Sequence, residues 1–277
     1  MLPRLAALIP LVAFSTVAVA AEFAVQAVPE RSIIHLEATS RLSFTGQPAF
    51  RVASHHERDL IVLDADATTV RRAKVVYGQA DVTSTLPAIP SRTLPVEGRT
   101  YLVEGGGEGP RIASPVRGVA VPEDQRAVVG WDLAEFGAVH PVAMMLAGQT
   151  LRPGDAPASL DVLKDLLEKR LEPYGIDGIT QLTGRVESFG RYGKEDIMRV
   201  ALELRSGSSR LYPDLSFTLQ GELVVAVPSG RPIGIQLAGP VEMAIPSEGD
   251  AAPKVRRGRF QVTYATSIVR GPEAHED

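Results

Sequence analysis

From Leu215 onward, apolar residues recur at every second position. Leu215, Phe217, Leu219, Leu223, Val225 and Val227 fall in one register, with Ser216, Thr218, Gln220 and Glu222 between them. This period-two alternation predicts a long strand with one buried face. The run breaks at Pro228-Ser-Gly-Arg-Pro232 and resumes with Ile233, Ile235, Leu237, Val241, Met243 and Ile245. Two alternating runs around a Ser-Gly turn predict a β-hairpin. The same alternation precedes the hairpin at Met198, Val200, Leu202 and Leu204, and follows it at Phe260, Val262, Tyr264 and Ile268. With a weaker strand over Ile179 to Phe189, these runs predict a five-strand antiparallel meander from about 178 to 269. Gly184, Gly221 and Gly239 lie inside these strands, the last two at core-facing positions. Glycine there weakens a strand and marks a bulge, a bend or the close approach of another backbone. The expectation is a curved sheet wrapped around a helix or a ligand.

The N-terminal half carries the theme less regularly. Ile34, Leu36, Ala38, Leu42 and Phe44 alternate with His35, Glu37, Thr39, Arg41 and Ser43, predicting one long strand. Shorter strands are expected over Asp59 to Leu63, Thr69 to Tyr77 and Arg99 to Glu104, with loops at Leu86 to Pro95 and Gly105 to Pro110. The second of these loops lacks the Gly-Lys-Ser/Thr of a phosphate loop. In the middle the period changes. Val129, Leu133 and Phe136 predict a helix over Glu123 to Phe136, and Leu160, Leu163, Leu167 and Leu171 predict another up to Glu172, with Ser159 as its N-cap. The apolar stretch Pro141 to Leu151 reads as a short buried helix between them.

Strands, then helices, then strands give an α+β class, mostly β. The favoured architecture is a long curved antiparallel sheet, half-barrel-like, with two or three helices from the middle of the chain on its concave face. The other arrangement is a pair of β modules, 21–120 and 176–270, joined by a helical segment, 121–175. The polar end, 271–277, is expected to be a flexible tail.

Composition adds an address. Arg4, the apolar run Leu5 to Val19 and Ala18-Val19-Ala20 match a signal peptide over 1–20. No later stretch is long and apolar enough to span a bilayer, so the mature chain is expected to be soluble and exported, periplasmic or extracellular. The chain has no cysteine, which removes disulfides, thiolate metal sites and a cysteine nucleophile, and leaves the core as the source of stability. A formal net charge of −4, with basic residues scattered, argues against nucleic acid as a partner. The basic run Lys254 to Arg259 is expected on a solvated strand face. An aromatic content of 5% leaves few stacking platforms for sugars or bases.

Candidate chemistry is sparse. His55-His56-Glu57 with Asp59 is a compact group of metal-ligand types, but it is not HExxH. Adjacent side chains on a strand diverge, so His55 and His56 reach one ion only from a loop, and a solvated loop without metal is the expectation. His35 and Glu37 share a strand face and are expected on the polar outside. His140 lies near Trp131, Met144 and Met145, in a region read as core or as the wall of an apolar pocket. No catalytic residue and no cofactor is expected. The expected ligand-lining residues are Met144, Met145, Trp131, Phe217, Leu219 and Leu237.

With the Leu215–Ile245 hairpin, its interior glycines and the two helices on the page, the chain resembles at the level of architecture the bacterial envelope half-barrels of the lipoprotein carriers and outer-membrane lipoprotein receptors. That resemblance implies a curved sheet plugged by helices and a role in holding an apolar ligand; it assigns no residue. The hairpin is also similar to exported bacterial proteins that bring no activity with them. The expectation is a non-enzymatic carrier of a lipid or acyl chain in the cell envelope. The alternative is a structural or assembly module acting through envelope protein partners.

Overall fold

The computed structural model describes residues 20–45, 50–85, 90–106, 109–172, 178–207, 215–245 and 254–270. The expected leader, apart from Ala20, and the expected tail lie outside these residues.

The described elements run β1 (Ala21–Glu22), β2 (Ser32–Phe44), β3 (Phe50–Ala65), β4 (Val70–Ser84), β5 (Arg92–Thr93), β6 (Thr100–Glu104) and β7 (Arg111–Ala113). Next come α1 (Glu123–Asp132), α2 (Pro141–Leu146), β8 (Thr150–Leu151) and α3 (Asp161–Leu171). The chain closes with β9 (Ile179–Tyr192), β10 (Glu195–Ser206), β11 (Leu215–Val227), β12 (Pro232–Ile245) and β13 (Lys254–Arg270). Eleven strands form one open antiparallel sheet in the order β7-β6-β4-β3-β2-β13-β12-β11-β10-β9, with β5 paired to β4. A separate two-stranded piece joins β1 to β8. The α+β class is observed, and the two β regions share one sheet because β13 pairs along its length with β2.

The C-terminal meander follows its period-two pattern over most of its length and departs from it at Leu223–Ala226, all buried, where the register shifts and Val224, Ala226 and Ile233 join Ile197 in a separate small cluster. Val200 faces Leu223, and Leu223 faces Ile235 across the ladder. Gly221 and Gly239 sit where neighbouring backbone comes too close for a side chain: a Cβ on Gly221 would strike the Gln236 carbonyl, and one on Gly239 the Thr218 carbonyl. The space at Gly184 is taken instead by the Leu160 side chain.

β3 and β4 are much longer than their alternation predicts. The register shifts between His56 and Arg58, and again near Asp64, so the simple period is lost. At the first bulge Gly78 and Gln79 both lie outward opposite Glu57, and Tyr77 and Ala80 both turn inward. His55, His56 and Glu57 are therefore strand residues, not the loop expected from the sequence. Polar side chains at inward positions, His56 and Arg58, mask the alternation that Leu60 and Val62 continue.

The helices cover one face of the sheet, over two separate cores. Leu163, Leu167 and Leu171 of α3, with Val142 and Leu146 of α2, pack on Leu202, Leu204, Leu219 and Leu223. Val129 and Leu133, at the end of α1, pack on Val75, Tyr77, Tyr101 and Val103. Each such fully buried side chain is worth about 1.5–3 kcal/mol relative to exposure. α1 stops at Asp132, short of the predicted Phe136, and Phe136 packs at the core edge from the following turn. α3 begins at Asp161 with Leu160, not the expected Ser159, at its N-cap; Ser159 lies one residue earlier, its Oγ accepting from the Asp161 N–H at 3.3 Å. Only Pro141–Leu146 of the apolar middle is helical; Leu151 pairs with Ala21 in the small sheet.

Candidate functional site

The central strands β2, β3, β12 and β13 meet the helices at their flanks, where Leu237 and Val241 of β12 belong to the α2–α3 core and Leu60 and Val62 of β3 to the α1 core, and part of the face between is left less filled. Residues directly opposite in the ladder share a face, so His56, Ala38, Tyr264 and Ile235 form one row across these strands. Ser54, Ser40, Val262 and Leu237 form the next. This floor is roofed at a distance by α1, α2 and α3, leaving a cleft of about 240 Å³ lined by Ala38, Val262, Ile235, Leu166 and Trp131 among others. A second compartment of about 190 Å³ adjoins it, walled by the segment Val25–Val28, Ile34, Leu60, Phe136 and Arg58. Leu36, His140, Pro232 and Tyr264 line both and form the partition.

The walls are mostly apolar, and the polar groups are few. Ser40 and Ser54 share a hydrogen bond between hydroxyls at 2.7 Å on the floor. At the α1 side, three side chains converge on one oxygen, Asp132 Oδ2. Tyr77 donates its hydroxyl hydrogen at 3.0 Å, Arg58 Nε lies at 2.6 Å and His56 Nε2 at 3.3 Å. The Arg58 and His56 contacts are electrostatic, because neither nitrogen makes a well-aligned hydrogen bond although both are buried. The His56 ring stands edge-on to Tyr77, and Tyr77 edge-on to Tyr101.

Burial alone would raise the Asp132 pKa, but Arg58, His56 and Arg170 outweigh it and hold the carboxyl well below the usual carboxylate range. Burial and the Asp132 charge push the Tyr77 hydroxyl far above its ordinary value. Asp132 is thus a fixed anion and Tyr77 a fixed donor at neutral pH. Burial, with Arg170 and Arg231 adding to it, lowers His140 to about 4. The neutral ring accepts the Val142 N–H at Nδ1, 3.2 Å away, and so caps α2.

Arg170 of α3 holds the end of α1. Its guanidinium donates to the Trp131 carbonyl at 3.3 Å, the Asp132 carbonyl at 3.1 Å and Glu135 Oε2 at 2.6 Å, and lies 5.2 Å from the centre of the Trp131 ring. A cation at a helix C-terminus is electrostatically favourable.

The expected lining residues divide. Trp131, 48% exposed, and Leu237 line the larger compartment. Met145 is buried in the core under α2 and α3, and Met144 projects outward, 61% exposed. Phe217 and Leu219 are packed core residues, with Phe217 edge-on to Phe260 at 5.7 Å. His55 faces Thr39 across the ladder and His56 faces Ala38, so the two histidines lie on opposite faces. Among the described residues no group of three metal-ligating side chains converges. His35 lies on the outer face, its Nδ1 2.8 Å from Asp59 and its Nε2 3.8 Å from Glu57.

Sequence reasoning missed Arg58, Asp132, Tyr77 and Tyr264. One signal was available for the first: His56, Arg58, Leu60 and Val62 keep a period of two, placing an arginine on an apolar face.

No protein-family profile and no curated protein sequence matches the chain. Among solved structures, it is weakly similar to one titled "Lipid-protein interactions in lipovitellin", with a TM-score of 0.42, 10% identity and coverage of 90% of this chain. The chain spans 26% of that protein's length. DynF from the dynemicin biosynthesis pathway of Micromonospora chersina aligns over 95% of this chain and 91% of its own, at 9% identity and a TM-score of 0.20. An outer membrane lipoprotein-sorting protein domain from Vibrio parahaemolyticus aligns over 88% of this chain and 87% of its own, at 9% identity and a TM-score of 0.15.

Proposed function

We propose that this chain is an exported binding protein that carries an apolar ligand, a lipid or acyl chain, in the cell envelope. The cleft between the two cores carries this reading. Folding normally fills the space between a sheet and its helices. Here Ala38, Val262, Ile235 and Tyr264 of the middle of the sheet line a cavity, and Ile235 and Val262 are only partly buried against the neighbouring core. An apolar cavity of about 150 Å³ is large enough to bind benzene, and the larger compartment here is about 240 Å³ with a second beside it. The reading is of a non-enzymatic carrier; at the charged wall, Asp132 held ionised and Tyr77 held protonated suit a fixed anchor better than a proton-exchanging site.

The test is native mass spectrometry of the protein purified from its export compartment, followed by titration of the delipidated protein with an apolar fluorescent dye. A discrete extra mass, lost on solvent extraction, together with saturable dye uptake, supports the carrier. A clean apo mass with no dye uptake overturns it and turns the search to protein partners.

A further inference from the structure

The arginines around the cleft are paired with acids, except at one end of one of them. Arg170 pairs with Glu135 at 2.6 Å and Arg231 with Glu195 at 2.7 Å. Arg58, only 8% exposed, approaches Asp132 with Nε, at 2.6 Å. Its two terminal nitrogens make no hydrogen bond to a described residue, and the side chain lines the smaller compartment. Tyr264 lies within electrostatic reach of Arg58, lines both compartments, and has a hydroxyl without a hydrogen-bond partner among the described residues. The terminal nitrogens are not among the fully buried unpartnered atoms, so the fork and the Tyr264 hydroxyl are donors open to whatever enters the compartment.

The acceptor's charge follows from the pairing. Arg58 already neutralises Asp132, and Glu135 lines the same compartment. A ligand carboxylate would bring a second anion to an arginine that is already shared, and would be desolvated without a counter-ion of its own. A neutral carbonyl oxygen takes the hydrogen bond without that penalty. We propose that the smaller compartment receives the carbonyl of a neutral lipid ester, with the Arg58 fork and the Tyr264 hydroxyl donating to it. The chain then passes the partition at Leu36 and His140 into the larger compartment. This rests on the cleft being a lipid site, and names the lipid's chemistry.

The experiment is a competition, read by native mass spectrometry, between a fatty-acid methyl ester, the free carboxylate and the alkane of equal length. The ester is expected to bind about tenfold to a hundredfold more tightly than the alkane, the scale of one hydrogen bond to a charged group, and more tightly than the carboxylate. Replacing the pair together, Arg58→Met with Asp132→Asn, avoids stranding a buried charge. That variant is expected to keep alkane binding and lose the ester preference. Equal binding of ester and alkane, preference for the carboxylate, or an ester preference that survives the double substitution each overturns the proposal while leaving the carrier reading in place. Failure of all three ligands to bind overturns both.

Discussion

Tyr77 and Asp132 are 55 residues apart in the chain and 3.0 Å apart in space, the phenol of β4 donating to the carboxylate at the last turn of α1. Because Arg58 and His56 contact the same oxygen, this bond is part of the junction that seats the first helix on the sheet. Asp132→Ala removes the shared acceptor and leaves the Arg58 charge buried and unpaired, at an expected cost of about 3–5 kcal/mol. Tyr77→Phe removes one donor and is expected to cost about 1–3 kcal/mol. Urea denaturation checks both. A cost for Asp132→Ala no larger than that for Tyr77→Phe would show that the junction does not depend on charge pairing.

Gly221→Ala and Gly239→Ala each place a Cβ against a carbonyl of the adjacent strand. A backbone obstacle cannot rotate away as a side chain can, so the strands must part. Each substitution is expected to destabilise by at least about 1–3 kcal/mol. Gly190→Ala, in β9, where an added Cβ meets nothing within 4 Å, is the control and is expected to change stability much less. Thermal melts of the three variants decide the matter.

His140 is neutral in the fold down to about pH 4, whereas its ordinary pKa is 6.5. The unfolded chain therefore binds a proton that the folded chain refuses between those values. Stability is expected to fall as pH drops from 6.5 towards 4, by up to about 3 kcal/mol in total. Protonation would also remove the lone pair that accepts the Val142 N–H. His140→Asn keeps a capping acceptor without the titration. Denaturation midpoints across this pH range should slope less for the variant; parallel slopes would remove His140 as the cause.

Ala38→Phe fills the cleft from its floor while leaving both packed cores intact. Dye or lipid binding is expected to weaken by about tenfold or more, some 1.4 kcal/mol per factor of ten, with little loss of folding stability. Unchanged affinity would place the ligand elsewhere.

The hairpin Leu215–Ile245 was legible because most of its positions obey one rule, apolar side chains in and polar side chains out, and the rule fails only near the turn, where Val224, Ala226 and Ile233 gather with Ile197 in a small apolar cluster of their own. The central strands were not, for the same physical reason that they are of interest. A surface facing a cleft carries small and polar residues such as Ala38, Ser54 and Arg58 where a packed core would carry leucine. Residues chosen as lining for their apolar bulk, Phe217 and Leu219, lie within packed core. Asp132 stands at the end of an ordinary amphipathic helix, and nothing local to it announces three partners from two distant strands.

The pairing of β2 with β13 joins residues more than 200 positions apart along their whole shared length. Loop closure on that scale is slow, and contacts so remote in sequence form late. The sheet is not a row extended strand by strand from one end: its seam lies in the middle, and the last strand made is the one that closes it. The floor of the cleft lies across that seam. As the chain is synthesised, the two flanking cores can begin to assemble from local contacts, but the cleft exists only after β13 has docked on β2. The completed cleft is thus a direct reporter of completed folding.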